Sequence, residues 1–123
     1  MRYLTDRKRA EGKGASGHGT DHHWYMTVTS VTLACLVPIF LVLFGRAMGG
    51  TRAEVIEAFS NPFMAILTAL VLVVGMNHFW RGAYMLVSDY WRGSLRKGLF
   101  ILAIGLAYLV MAVGLYALAR IAL

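Results

Sequence analysis

The sequence predicts an all-α membrane protein built on three transmembrane helices, and three observations carry that prediction. Three stretches contain no Asp, Glu, Lys or Arg: Trp24 to Phe44, Phe63 to Trp80, and Gly98 to Ala119, and the apolar pattern of the second extends past Arg81 toward Val87. Runs of this kind match the roughly 20 residues needed to cross a hydrocarbon core. Backbone hydrogen bonds cannot be left open in lipid, so the runs must be helical. The charged residues, finally, gather in the ends and connections. The 123-residue chain therefore divides into a polar basic tail over 1–20 and a transmembrane unit over 21–123, with spans at about 24–45, 62–90 and 97–121. No room is left for a soluble catalytic domain.

The tail, Met1 to Thr20, is rich in Gly, Lys, Arg and Ser and has no apolar periodicity. Such a composition alone buries too little apolar surface to offset its ordering entropy. Its Arg7-Lys8-Arg9 cluster favours anionic lipid headgroups or docking on a soluble partner. The formal net charge of +6 raises the question of nucleic acid, but its distribution points to a membrane. Arg2, Arg7, Lys8, Arg9 and Lys13 lie in the tail, and Arg92, Arg96 and Lys97 lie between the second and third spans. By the positive-inside rule both zones face the cytoplasm, which puts the C-terminus on the outside after an odd number of spans.

Span one opens on Asp21-His22-His23-Trp24-Tyr25, with two aromatic anchors for the headgroup level. It follows a long polar tail and exceeds the apolar core of a cleavable signal peptide. Cys35 is the single cysteine, which excludes an intrachain disulfide and a thiolate cluster. Pro38 removes one backbone donor and predicts a kink. Gly45, Gly49 and Gly50 close the helix and begin a loop that includes Thr51 to Glu57. Asn61-Pro62 reads as the start of span two, with proline in the first turn where its missing N–H does no harm. Span three carries Gly98, Gly105, Ala112 and Ala119 seven residues apart, a stripe of small residues along which another helix can approach. No internal repeat supports an inverted-repeat transporter.

The chemistry concentrates at the end of span two, in His78-Phe79-Trp80-Arg81-Gly82 followed by Ser88-Asp89-Tyr90. The offset from His78 to Asp89 is close to three turns at about 3.6 residues per turn, so both share one face. Ionisable groups at bilayer depth are costly and mark functional candidates. His78 is either a polar group hydrogen-bonded to a neighbouring helix or an axial ligand of a haem iron. Gly82 and Gly75 make room for a flat macrocycle or for a close helix. Arg81 either snorkels to the cytoplasmic surface or meets an anion such as a haem propionate. Asp89, at a helix C-terminus, needs a compensating cation, supplied by Arg92 or by a partner chain. Tyr90 is either an interfacial belt residue or a hydrogen-bond donor to a quinone carbonyl. The other histidines, His18, His22 and His23, belong to the tail or its border, so a second axial ligand would come from another chain.

The pattern His78-x-Trp80-x-Gly82 with Asp89-Tyr90 resembles the small hydrophobic anchor of succinate dehydrogenase, the D-type subunit of respiratory complex II. The likeness covers the whole chain. The runs Arg2-Tyr3-Leu4-Thr5-Asp6-Arg7-Lys8-Arg9 and Gly19-Thr20-Asp21-His22-His23-Trp24 are similar to alphaproteobacterial members. The resemblance implies that the helices pack with a second, C-type cytochrome b anchor, that His78 is one axial ligand of haem b, and that Gly82 and Arg81 lie near it. It further implies that Tyr90 hydrogen-bonds ubiquinone, with Asp89 organising that site beside a basic residue of the C-type anchor. A flavoprotein and an iron–sulfur subunit, holding the FAD and the clusters, would dock on the cytoplasmic side of the bacterial inner membrane. The implied role is electron transfer from succinate to ubiquinone, in respiration and the tricarboxylic acid cycle, by a subunit that is not an enzyme on its own. One departure stands out: some members carry an arginine early in the first span, where this chain has Tyr25-Met26-Thr27-Val28. Propionate neutralisation then falls to Arg81 or the partner anchor.

Other functions compete with this one. A fumarate reductase anchor has the same parts, because direction is set by partners and quinone potential. A purely structural assembly protein would use His78 as a satisfied polar group. A proton-coupled small transporter needs a carboxylate deep in the bundle, whereas all six acidic residues lie outside the three uncharged cores.

Overall fold

A computed structural model describes residues 5–12 and 19–123, and among them every element is a helix. Arg2, Lys13 and His18, assigned to the tail from sequence, lie outside the described residues. In the part of the tail that is described, Thr5 accepts from the Lys8 amide and caps a short helix α1, Asp6–Glu11. The chain then forms α2 (Gly19–Met48), α3 (Arg52–Ser60), α4 (Pro62–Tyr90) and α5 (Gly93–Ala122). Helices α2, α4 and α5 are each long and apolar enough to span a membrane.

The first span begins earlier than its uncharged core, because Asp21, His22 and His23 are already helical. It runs through Pro38 without a break. Its hydroxyls are satisfied within the helix: Thr27, Ser30 and Thr32 each donate to the carbonyl four residues back, at 3.0, 2.8 and 2.8 Å. That self-bonding lets a polar run sit in an apolar environment. Cys35 is exposed on the outer surface of the helix group.

Residues 52–60 are helical, where the sequence reading placed a loop through Glu57. The reason is a capping box: the Glu54 amide donates to the Thr51 hydroxyl at 3.4 Å, and Glu54 Oε2 accepts from the Thr51 amide at 2.6 Å. The Thr51 amide, then the Thr51 hydroxyl, hold the Glu54 carboxyl below its ordinary pKa. A lowered folded-state pKa means this cap contributes at neutral pH and is lost as pH falls through that value. Phe59 anchors the helix by packing edge-on against Phe44 at 6.2 Å, in a cluster with Met64 and Leu118. The Ser60 hydroxyl lies 3.0 Å from the Ile121 carbonyl, tying α3 to the end of α5. Thr51→Ala is expected to weaken α3 by about 1 kcal/mol, seen as faster amide hydrogen exchange across residues 52–60. Unchanged exchange would show that packing of Phe59 alone holds the helix.

Asn61 accepts from the Phe63 amide and starts α4, with Pro62 in its first turn. The turn into α5 is tight and uses Gly93 at φ +66°, a backbone conformation open to glycine at little cost. Helices α4 and α5 pack along Leu72 and Gly114, where a Cβ at 114 would meet Leu72 Cδ2 at 2.6 Å. Ala107, Met111 and Leu118 line the inner face of α5. The small-residue stripe is elsewhere: Gly98, Gly105, Ala112 and Ala119 are all exposed, and nothing lies within 4 Å of a Cβ built at Gly98 or Gly105. The seven-residue spacing therefore marks an outward face rather than a contact within the chain. Only seven apolar residues are buried among those described, so the chain covers little of its own apolar surface.

Candidate functional site

Helices α2 and α4 run antiparallel, and their shared seam brings the N-terminal half of one against the C-terminal half of the other. Four levels define it. Gly75 faces Leu33 Cδ2 at 4.0 Å, counted from an ideal Cβ, and Gly82 faces Met26 Cε at 3.7 Å. Between them, His78 Nδ1 lies 2.8 Å from the Thr29 hydroxyl. Beyond them, the Arg81 guanidinium lies over the Tyr25 ring, 3.6 Å from its centroid, and the His22 and Tyr84 rings approach at 6.4 Å. The residues His22, Tyr25 and Thr29 recur at helical spacing, so one face of α2 supplies all of these partners.

The glycines serve the close helix, the second of the two uses weighed from sequence. Their missing side chains let α2 approach on either side of His78. Thr29 is 8 % exposed, a buried polar residue at the centre of the seam. Its oxygen also lies 2.9 Å from the Tyr25 carbonyl and 3.1 Å from the Met26 carbonyl. His78 Nε2 makes no hydrogen bond with another described residue.

Arg81 is partly buried and forms no ion pair with a carboxylate among the described residues. Its guanidinium also lies 5.0 Å from the Trp80 ring centroid, and its Nε is buried with no hydrogen-bond partner. The His22 Nε2 is in the same condition. A buried polar atom without a partner loses its hydration without compensation. Two such atoms at one end of the α2–α4 seam mark a place where an anionic or accepting group would fit.

Asp89 and Tyr90 are the last two residues of α4, so continuity of that helix places Tyr90 about 18 Å along the axis from His78 at about 1.5 Å per residue. Tyr90 is 74 % exposed and its ring meets Trp91 edge-on at 6.0 Å. Asp89 is exposed as well, and no ion pair joins it to Arg92 among the described residues. The local compensation weighed from sequence is absent. A different basic residue comes close: Arg96 Nη2 donates to the Ser88 hydroxyl at 3.3 Å and faces the Phe100 ring at 5.3 Å. Phe100 stacks on Tyr84 at 4.5 Å. A chain of contacts thus runs from His22 through Tyr84 and Phe100 to Arg96 and Ser88, linking the His78 level to the helix end.

Thr29 and Tyr84 were not singled out from sequence, and Ser88 and Arg96 were named there without a contact between them. The signal for Thr29 was its spacing of four from Tyr25 and seven from His22, obscured by neighbouring hydroxyls at Thr27, Ser30 and Thr32. Among the described residues no three His, Cys, Asp or Glu side chains gather to hold a metal ion. A cavity of about 740 Å³ opens at the opposite end of the bundle, lined by Arg46, Gly50, Glu54 and Phe63 among others. It touches none of the residues of the seam.

Two comparisons with known proteins bear on this arrangement. The model of the succinate dehydrogenase/fumarate reductase transmembrane subunit family matches residues 1–113. A Paracoccus denitrificans protein described as a succinate dehydrogenase hydrophobic membrane anchor subunit is 43 % identical over 123 residues, covering 100 % of this chain and 95 % of that protein. No solved structure matches.

Proposed function

Because the chain belongs to the succinate dehydrogenase/fumarate reductase transmembrane subunit family, we propose that it is the hydrophobic anchor of a succinate:ubiquinone oxidoreductase. It contributes one axial ligand of haem b, His78, and part of a quinone-reduction site, Tyr90 with Asp89. The observation that carries this reading is the pairing at one seam of a histidine held by one nitrogen with an arginine whose Nε is buried and unpartnered. An imidazole so held offers its other nitrogen to iron, and the arginine offers charge to a propionate. The residues present fit such a group. When bound, haem b supplies a one-electron reservoir within the bilayer.

This chain's own residues do the remaining work. Gly75 and Gly82 keep α2 close beside His78, and Thr29 occupies the imidazole's inner nitrogen. Arg81 stacks on Tyr25, which holds its charge beside the seam without a carboxylate. At the end of α4, the Tyr90 phenol presents a neutral donor that can bond a quinone oxygen without carrying charge into the membrane. Asp89 lies beside it with no partner from its own helix, free to meet a basic residue of the C-type anchor. A flavoprotein and an iron–sulfur subunit, carrying FAD and clusters, would dock at this face with lipids around the helices.

Tyr90→Phe tests the quinone half. It keeps the ring and removes one hydrogen bond, worth about 0.5–1.5 kcal/mol, or roughly two- to tenfold in rate or affinity. Quinone reduction by the purified complex should fall by that factor while succinate oxidation by an artificial acceptor stays intact. Ubiquinone reduction at the unaltered rate and affinity would leave Tyr90 a belt residue and move the pocket elsewhere.

A further inference from the structure

We infer that Thr29 is a positioning residue for His78: it selects the imidazole tautomer that presents a bare Nε2 and fixes the ring's orientation. The inference rests on the reading of His78 as a haem ligand and adds to it the residue that makes the ligand competent.

The argument is one of hydrogen counting. A threonine hydroxyl has a single hydrogen and two acceptor lone pairs. Three polar atoms crowd the Thr29 oxygen: the Tyr25 carbonyl at 2.9 Å, the Met26 carbonyl at 3.1 Å and His78 Nδ1 at 2.8 Å. The two carbonyls can only accept, so the hydroxyl hydrogen belongs on that side, as it does for Thr27, Ser30 and Thr32 along the same helix. The contact with Nδ1 is then satisfied only if Nδ1 carries the proton and donates to the Thr29 oxygen. A neutral imidazole protonated at Nδ1 has its lone pair on Nε2.

The same bond restricts rotation of the ring. Thr29 is buried, held by its own backbone turn and flanked by the Met26–Gly82 contact, so its oxygen is a fixed point. Donation from the outer nitrogen of a ligating histidine also raises the basicity of the ligating one. A more basic axial ligand favours the ferric over the ferrous state, so Thr29 is expected to hold the haem potential down.

The test compares Thr29→Val with Thr29→Ser in the complete four-subunit complex, reading haem content, the midpoint potential by redox titration, and the low-spin electron paramagnetic resonance spectrum. Valine keeps the shape and removes the acceptor. The valine variant should show a raised midpoint potential, shifted low-spin g values and haem retention weakened by about 10- to 100-fold. Serine restores the oxygen and should return all three toward those of the unaltered complex. If the valine complex fails to accumulate, Thr29→Ala reads the same potential without adding apolar bulk. Unaltered potential and g values in the valine or alanine complex would overturn the inference, as would a serine variant shifted as far as valine, since that effect would be packing alone. His78→Leu serves as the separating control. If it leaves the low-spin haem signature in place, the haem reading itself fails, whereas a lost signature together with silent Thr29 variants defeats only the role of Thr29.

Discussion

His78→Leu is expected to abolish the low-spin haem signal of the assembled complex. Leucine is close to histidine in bulk and suits the apolar surroundings, so the α2–α4 seam should persist. Thr29 would lose its imidazole partner but keep its bond to the Tyr25 carbonyl at 2.9 Å. What disappears is the nitrogen that a haem iron needs from this chain, and no other histidine stands on α4 or α5. The reduced-minus-oxidised visible spectrum and the electron paramagnetic resonance spectrum of the purified complex are the measurements. An unchanged spectrum at full haem occupancy would defeat the assignment. Turnover is a poorer gauge, because the quinone can receive electrons without their passing through the haem.

The second expected result is all-or-none. The tail and the α4–α5 connection should face the cytoplasm, and Leu123 the outside. The antiparallel seam puts the start of α2 level with the end of α4, while the Ser60–Ile121 bond groups α3 with the C-terminus at the other end. In sequence, eight of the twelve basic residues belong to the tail or to the α4–α5 connection with Arg92, Arg96 and Lys97. That imbalance is of the kind that orients short loops. A reporter active only in the periplasm should work when fused after Leu123. A cytoplasm-only reporter that works at that position would reverse the topology and place Tyr90 on the wrong side for the dehydrogenase subunits.

The spans were legible because lipid imposes a rule that composition displays: remove charge for about 20 residues and a helix follows. The end of span two was also legible, since a continuous helix converts the spacing of His78, Asp89 and Tyr90 directly into distance. Helix α3 was not, although Thr51 and Glu54 spell a capping box, because the preceding glycines and the mixed charges read more strongly as a loop. Thr29 was hidden for a different reason. Its partner is 49 residues away, and nothing local distinguishes its hydroxyl from those of Thr27, Ser30 and Thr32. The stripe on α5 had the right periodicity, but spacing alone does not say whether the approaching helix belongs to the same chain. Asp89 shows the same limit, since Arg92, close to it in sequence, forms no ion pair with it among the described residues.

The thinness of the core has a consequence for supply. With only seven apolar residues buried among those described, and with lipid tails as apolar as the helices themselves, the hydrophobic effect gives these helices little reason to prefer one another. Their arrangement then depends on whichever chain covers the outward faces, and its apparent stability follows mass action. Each tenfold increase in free partner above its dissociation constant adds about 1.4 kcal/mol. A cell that makes this anchor faster than its companion does not stockpile a finished part. Made in excess of a covering partner, the helices are expected to associate loosely, read as protease sensitivity that falls when the partner is co-expressed.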